Sequence, residues 1–388
     1  MTPNYDIDIN GALFWGVAIF AIVLLNLCTR IKVKTYAFSA VNLAFLWLLL
    51  GSSALTVAAG LGLFFVTLHL ASKQRSAAFV VAAAGCALFA LFVMNKLQGR
   101  VEALSHVGPL LSLIGFSFMV LRCVDVLRAV KTKRVAVPGP LDLLNYLAPF
   151  HMLAAGPIAT FEDHNRKPFE HLPMRLERVM EGLELIARGL FNKFVICYIL
   201  DQVFLSDFQS TGATFVIEML VFTLWSYLDF SAYSMIALGI GLLAGVPTPI
   251  NFRNPLVGRN LIDFWDRWHI SLSTFVKNNV FMPIYITMMR RSGPARPLFY
   301  ASVATMVSFV LVGLWHGLSL GWFLWGSLHA VGLVAVRYYG HFLQQSLSPS
   351  ALKSYRESGV VRGFATMATY AYVTLAFYPV AVLSQVKQ

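Results

Sequence analysis

Residues 309–317 read FVLVGLWHG, seven apolar or glycine positions that run into a histidine. They sit inside a longer run, Pro297 to Val336, that holds no Asp, Glu, Lys or Arg. The side chains there that titrate near neutral pH are His316 and His329. Such a stretch suits a lipid core, where a helix needs about 20 residues to cross.

The whole chain agrees. Its 388 residues are 58% hydrophobic and 12% charged, and the mean hydropathy is +0.69. Soluble domains carry about twice that charged fraction, so this sequence describes an integral membrane protein. The net charge of +12 fits cationic loops facing the cytoplasm and anionic lipid. No basic-aromatic module accompanies it, which argues against nucleic acid as a partner. Cysteines 28, 86, 123 and 197 lie in or beside apolar segments and show neither a C-x-x-C pair nor metal-ligand spacing. They read as small buried hydrophobes.

Apolar runs recur near 12–29, 36–50, 54–71, 77–95, 104–127, 141–157, 183–204, 213–246, 298–315, 317–337 and 360–384. They predict an all-α polytopic protein with about 11 helical membrane segments. The run at 213–246 has room for one long helix or a helix with a re-entrant piece. The run at 141–157 breaks at AAGPI and is too short for a full crossing. Asp6 and Asp8 precede the first run, and Arg30, Lys32 and Lys34 follow it. That order argues for an uncleaved first span with its N-terminus outside. Lys73 and Arg75 after the third run, and Arg128, Lys131, Lys133 and Arg134 after the fifth, repeat the basic side; Lys96 and Arg100 are the exception. The expected location is the cytoplasmic (inner) membrane, crossed many times. No internal repeat or linker divides the chain, so residues 1–388 form one expected membrane domain.

Two stretches differ in character. Residues 160–182, TFEDHNRKPFEHLPMRLERVMEG, are charged and helix-prone, as an interfacial helix would be. Residues 245–260, GVPTPINFRNPLVGRN, predict irregular backbone. Beyond them, a helix over 261–281 would gather Leu261, Trp265, Trp268, Leu272, Phe275 and Val276 within an arc of about 120°. Asp263, Asp266, Arg267, Ser271, Thr274, Lys277 and Asn278 would fall opposite. His269 lies at the edge of the apolar arc and should face the protein interior.

Ionisable groups at membrane depth are costly and mark pathways or cavities. His316 can be a packing histidine bonded to a backbone carbonyl, or a base suited to deprotonating a hydroxyl near neutral pH. Gly313 and Gly317 allow close approach beside it. His269 can anchor its helix between two tryptophans or serve the chemistry. His329 is 13 residues beyond His316, too far for one face contact, and reads as packing or substrate lining. Asp229 lies in an apolar run otherwise charged only at Glu218. It fits a structural hydrogen bond or a proton relay. The sequence contains no Walker loop, G-x-G-x-x-G or H-E-x-x-H motif. Histidine-assisted direct transfer therefore suits it better than a covalent acyl-enzyme.

FWDRWHISLS (264–273) followed by GLWHG (313–317) resembles the membrane-bound O-acyltransferase (MBOAT) family. AAGPI (154–158), YLDFSAYSMIALGIGLLAG (227–245) and PINFRNP (249–255) match it in the same order. The resemblance spans roughly 105–340 and is nearest the polysaccharide-modifying branch. Within it the DltB type of teichoic-acid D-alanylation comes first and the AlgI type of alginate O-acetylation next. Residues 278–292 lack the PLGGNR-like run of the alginate type, and Lys277-Asn278-Asn279 replaces an Arg-Asp pair common in the DltB type.

The resemblance implies a ring of membrane helices around a thinned central tunnel, with re-entrant and interfacial helices. It also implies His316 as the catalytic residue and His269 as the second functional histidine. Trp315, Gly317, Trp268, Asp229, Ser271 and Asn251 are the neighbouring tunnel candidates. The implied reaction moves an acyl group, D-alanyl or acetyl, from a cytoplasmic thioester to a hydroxyl of an extracytoplasmic cell-envelope polymer. The donor would be a phosphopantetheine carrier protein or coenzyme A, with no tightly bound cofactor and no metal. Expected partners are that acyl carrier protein or acyl-CoA, a polysaccharide or teichoic-acid-like acceptor, other envelope-modification proteins and membrane lipid. Basic loops near 128–134 and 290–296 offer docking charge for an acidic carrier, or are ordinary positive-inside loops. The alternatives are a transporter or flippase for an envelope precursor, and a non-catalytic scaffold.

Overall fold

A computed structural model of the chain describes residues 11–72, 77–97, 115–166, 169, 175–205 and 214–383. Every regular element among them is helical. The N-terminal acidic residues Asp6 and Asp8 and the loop cations Lys73, Arg75 and Arg100, on which the expected orientation rests, lie outside the described residues. Five helical stretches are long and apolar enough to cross a membrane: Ile31–Ser72, Phe215–Ala244, Pro297–His316, Leu320–Ser346 and Gly359–Leu383. Ala12–Leu27 and Ala83–Met94 are shorter apolar stretches.

The contacts gather into two compact units, 1–191 with 232–249, and 192–231 with 250–388. The first unit is built from α1 (Ala12–Leu27), α2 (Ile31–Leu50), α3 (Ala54–Ser72), α4 (Ala77–Leu97) and α5 (Phe116–Lys131). Short helices α6 (Pro140–Leu147) and α7 (Phe161–Arg166), then α8 (Leu176–Phe191), follow. The run at 141–157 breaks earlier than the AAGPI motif expected to end it: α6 stops at Leu147, and a 3-10 turn and irregular backbone follow. Its free carbonyls need donors at depth, and Arg122 supplies them. Its guanidinium, 1% exposed, donates to the carbonyls of Leu147, Met152 and Pro157 at 3.1, 3.0 and 3.3 Å. Beside it Asp125 accepts from the Tyr146 hydroxyl and the Phe161 N–H. These pairings satisfy backbone that lipid could not.

The expected interfacial helix over 160–182 is not one continuous element: α7 lies within that stretch and Arg175 is not helical. Helix begins at Leu176 and continues through the apolar run to Leu205, with π turns at Asn192–Ile196 and Asp201–Leu205. Of the cysteines, three are buried, whereas Cys86 is exposed, contrary to the reading of all four as buried.

The run at 213–246 is one helix, α9 (Phe215–Ala244). Its first part belongs to the second unit, with α10 (Leu261–Trp265), α11 (Ile270–Val276) and α12 (Met282–Ser292). The unit continues with α13 (Pro297–His316), α14 (Leu320–Ser346), α15 (Pro349–Glu357) and α16 (Gly359–Leu383). Helices α13 and α14 approach through Gly313 and Gly326. A Cβ on Gly313 would strike the Trp322 carbonyl, and one on Gly326 would strike that of Phe309. Small residues at such a crossing let backbones close in without lipid between them.

The continuous amphipathic helix expected over 261–281 is broken. Residues 266–269 leave the helix, and His269 adopts φ 44°, ψ 52° before α11 starts. The apolar set is nonetheless right, since Leu261, Trp265, Trp268, Leu272, Phe275 and Val276 are all buried. Ser271, assigned to the polar side, is buried as well, because the break re-aims it.

Candidate functional site

His316 ends α13, where Gly317 leaves helical geometry. Its ring stacks on Trp322, centroids 4.7 Å apart and planes 18° from parallel. Trp315 and Trp325 meet it edge-on at 4.7 and 5.4 Å. Gly317 is needed here because a Cβ would run into the Trp322 indole. The space beside this glycine is thus filled by Trp322.

His269 is 2% exposed and sits at the break between α10 and α11. The Pro/Asn-rich connection runs alongside, with Ile270 N–H donating to the Asn251 carbonyl and Arg253 N–H to the Arg267 carbonyl, both at 2.9 Å. Asn251 Oδ1 then meets three groups: His269 Nδ1 at 3.0 Å, Ser271 N at 3.3 Å and Ser271 Oγ at 2.8 Å. A backbone N–H can only donate, so the shared atom is the amide oxygen, and His269 must donate from Nδ1. A neutral ring in that form carries a bare lone pair on Nε2. Burial and the nearby His316 both push His269 well below the ordinary imidazole range, so it is neutral at physiological pH. Phe230 packs edge-on at 4.6 Å, while Phe252 lies nearly parallel at 6.4 Å. Trp268 packs on Phe252 and Phe264 rather than on the histidine.

A second tryptophan–histidine layer adjoins Trp325. His329, 1% exposed, lies 4.6 Å from Trp325 and accepts a hydrogen bond at Nδ1 from Trp265 Nε1 at 3.3 Å. Trp265 and Phe309 also wall a cavity of about 330 Å³ whose polar lining includes Asp266, Lys277, Ser308 and Arg337. The Arg337 guanidinium donates to Thr305 Oγ1 at 2.9 Å and lies over the Phe281 ring.

The MBOAT, membrane-bound O-acyltransferase family model matches residues 30–377, a region that holds all of these side chains. The chain belongs to the MBOAT family. Its relatives include a teichoic acid D-alanyltransferase of Bacillus subtilis, 25% identical over 80% of each chain. Another teichoic acid D-alanyltransferase, of Streptococcus thermophilus, is 28% identical over 63% of this chain and 61% of its own length. A probable alginate O-acetylase of Pseudomonas putida is 30% identical over 58% of this chain and 46% of its own. The chain therefore spans less than two thirds of two of these three relatives.

Within this MBOAT chain the expected residues fall into separate groups. His316 with Trp315 and Gly317, and His269 with Asn251 and Ser271, assemble as two adjacent clusters. Asp229 is ion-paired with Lys193 on the preceding helix. It is not the lone carboxylate that the sequence suggested. The sequence did not place Trp322, Trp325 or Trp265 beside these histidines, and it read His329 as packing or substrate lining. The signal was present: Trp322, Trp325 and His329 recur at steps of three and four, which places them on one helix face.

Proposed function

We propose that this MBOAT protein transfers an acyl group, D-alanyl or acetyl, from a thioester to a hydroxyl of a cell-envelope polymer. The observation that carries the reading is His316, a histidine in the family-matched region beside a second, neutral imidazole. A ring of about eleven membrane helices, with cytoplasmic and external openings meeting near His316, would let the two substrates arrive from opposite faces. His316 takes the proton of the acceptor hydroxyl as its oxygen attacks the thioester carbonyl. The carbon–sulfur bond then breaks, the thiolate leaves and takes the proton back from the imidazolium, and an ester remains. General base catalysis contributes about 10²–10⁴-fold, so alignment of the two substrates supplies the larger share.

His269 serves this scheme as an acceptor at Nε2, steadying the hydroxyl or an N–H of His316. With Nδ1–H committed to Asn251 it has no proton left to offer an oxyanion. The donor is a phosphopantetheine carrier protein or coenzyme A, whose phosphate-bearing arm suits the Arg337 and Lys277 cavity. The expected setting is the cytoplasmic membrane with the N-terminus outside.

A transporter would need a free relay group, and the Lys193 pairing supports a structural role for Asp229 instead. The test is acyl transfer by purified protein in detergent, where no second compartment exists. D-alanyl-loaded carrier and acetyl-CoA would be supplied with teichoic acid and polysaccharide acceptors, and the products read by mass spectrometry. Failure of the protein to acylate any acceptor from either donor would sink the proposal.

A further inference from the structure

Where His269 presents an acceptor at Nε2, His329 presents a donor. An indole N–H can only donate, so Trp265 Nε1 faces an unprotonated His329 Nδ1. The neutral ring then carries its proton on Nε2. That N–H is buried and meets no hydrogen-bond partner among the described residues. Trp325 Nε1, on a side chain 3% exposed, is in the same condition. Unpartnered buried N–H groups are rare. Here two occur on rings 4.6 Å apart, and one of those rings touches His316.

We propose that His329 Nε2–H and Trp325 Nε1–H receive the acyl carbonyl oxygen and hold the negative charge it gains during transfer. The inference rests on the acyl-transfer reading and adds the electrophilic half of that site. As the hydroxyl oxygen bonds to the carbonyl carbon, the carbonyl electron pair moves onto oxygen and into these two hydrogen bonds. Collapse returns the pair to the carbonyl and expels the thiolate. Both donors project from α14, as does Trp322, which stacks on His316, so one rigid element would set base and oxyanion site in register. Trp265, Phe309 and Phe377 pack around the pair. In such dry surroundings fixed N–H dipoles act strongly on a developing charge.

Phenylalanine replacements keep the aromatic packing and remove the N–H. With the thioester that supports wild-type transfer, Trp325→Phe and His329→Phe should each lower kcat by about 10²–10³-fold. KM should move no more than about twofold; the melting temperature in detergent should stay at the wild-type value in Trp325→Phe and fall in His329→Phe only by the loss of the Trp265 hydrogen bond. His329→Gln restores a side-chain donor and should recover at least tenfold over His329→Phe. Wild-type kcat in either folded phenylalanine variant overturns the proposal, the two N–H groups then serving only a buried water. So does a kcat loss that tracks lost melting temperature, with His329→Gln no better than His329→Phe. Wild-type turnover in the same assay reports on acyl transfer itself, so failure of that reading and failure of this one are distinguishable.

Discussion

His316 lies face to face with Trp322, ring centroids 4.7 Å apart, and the two residues flank the Gly317 break between α13 and α14. The imidazole is therefore held in one orientation by aromatic contact on its face and at its edge. His316→Ala should remove transfer by at least the 10²–10⁴-fold that a positioned base contributes. Membrane insertion and melting temperature should be unchanged. His316→Gln should be equally inactive, because an amide keeps hydrogen bonding but lacks basicity. A single-turnover assay with either donor decides this.

Asn251 sets the protonation form of His269, and the isosteric Asn251→Asp exposes that role. A carboxylate beside the ring favours its charged form, opposing the burial and His316 effects that now depress it. The folded-state affinity of His269 for a proton rises, and the charged ring cannot accept at Nε2. Activity of the variant should be weak at neutral pH and recover as pH increases, moving the acid limb of the profile upward. An acid limb identical to wild type would remove His269 from the chemistry.

The Gly313–Gly326 crossing has no room for a side chain. Gly326→Val should destabilise by at least the roughly 1–3 kcal/mol typical of overpacking. Thermal unfolding in detergent would read this as a lowered melting temperature. Gly340, on the same helix with open space around it, is the control, and Gly340→Ala should leave the melting temperature unchanged or raise it.

Arg290, Arg291 and Arg296 are exposed at the end of α12 and the turn after it. If an acidic carrier docks there, reversing all three charges should raise KM for the carrier-bound donor, with an effect that shrinks in high salt. Transfer from a free pantetheine thioester should be untouched. Equal losses with both donors would argue against docking at this turn.

Much of the architecture was legible because the bilayer imposes a simple rule on composition. The uncharged run around FVLVGLWHG announced α13 and α14, and the arc through Trp265, Trp268 and Leu272 named buried residues correctly. The break at His269 was not legible, since helical periodicity continues on both sides of a single left-handed residue. Nor was the bridge from His316 to His329. Sequence separation argued against it, yet Trp325 touches both rings because helix α14 folds back along α13. Arg122 was hidden for a different reason. Its partners are main-chain carbonyls of an irregular segment, and no side-chain pattern records where those carbonyls point.

The left-handed backbone at position 269 carries a practical consequence. Asparagine tolerates that geometry well, whereas β-branched residues resist it. His269→Asn should retain the turn while discarding the ring, and His269→Val should add about 1–3 kcal/mol of backbone strain. Comparing the two in a melting experiment separates what position 269 does for the shape of the chain from what it does for a substrate. Few positions permit so clean a division, and it exists here because the imidazole sits on a corner of the main chain.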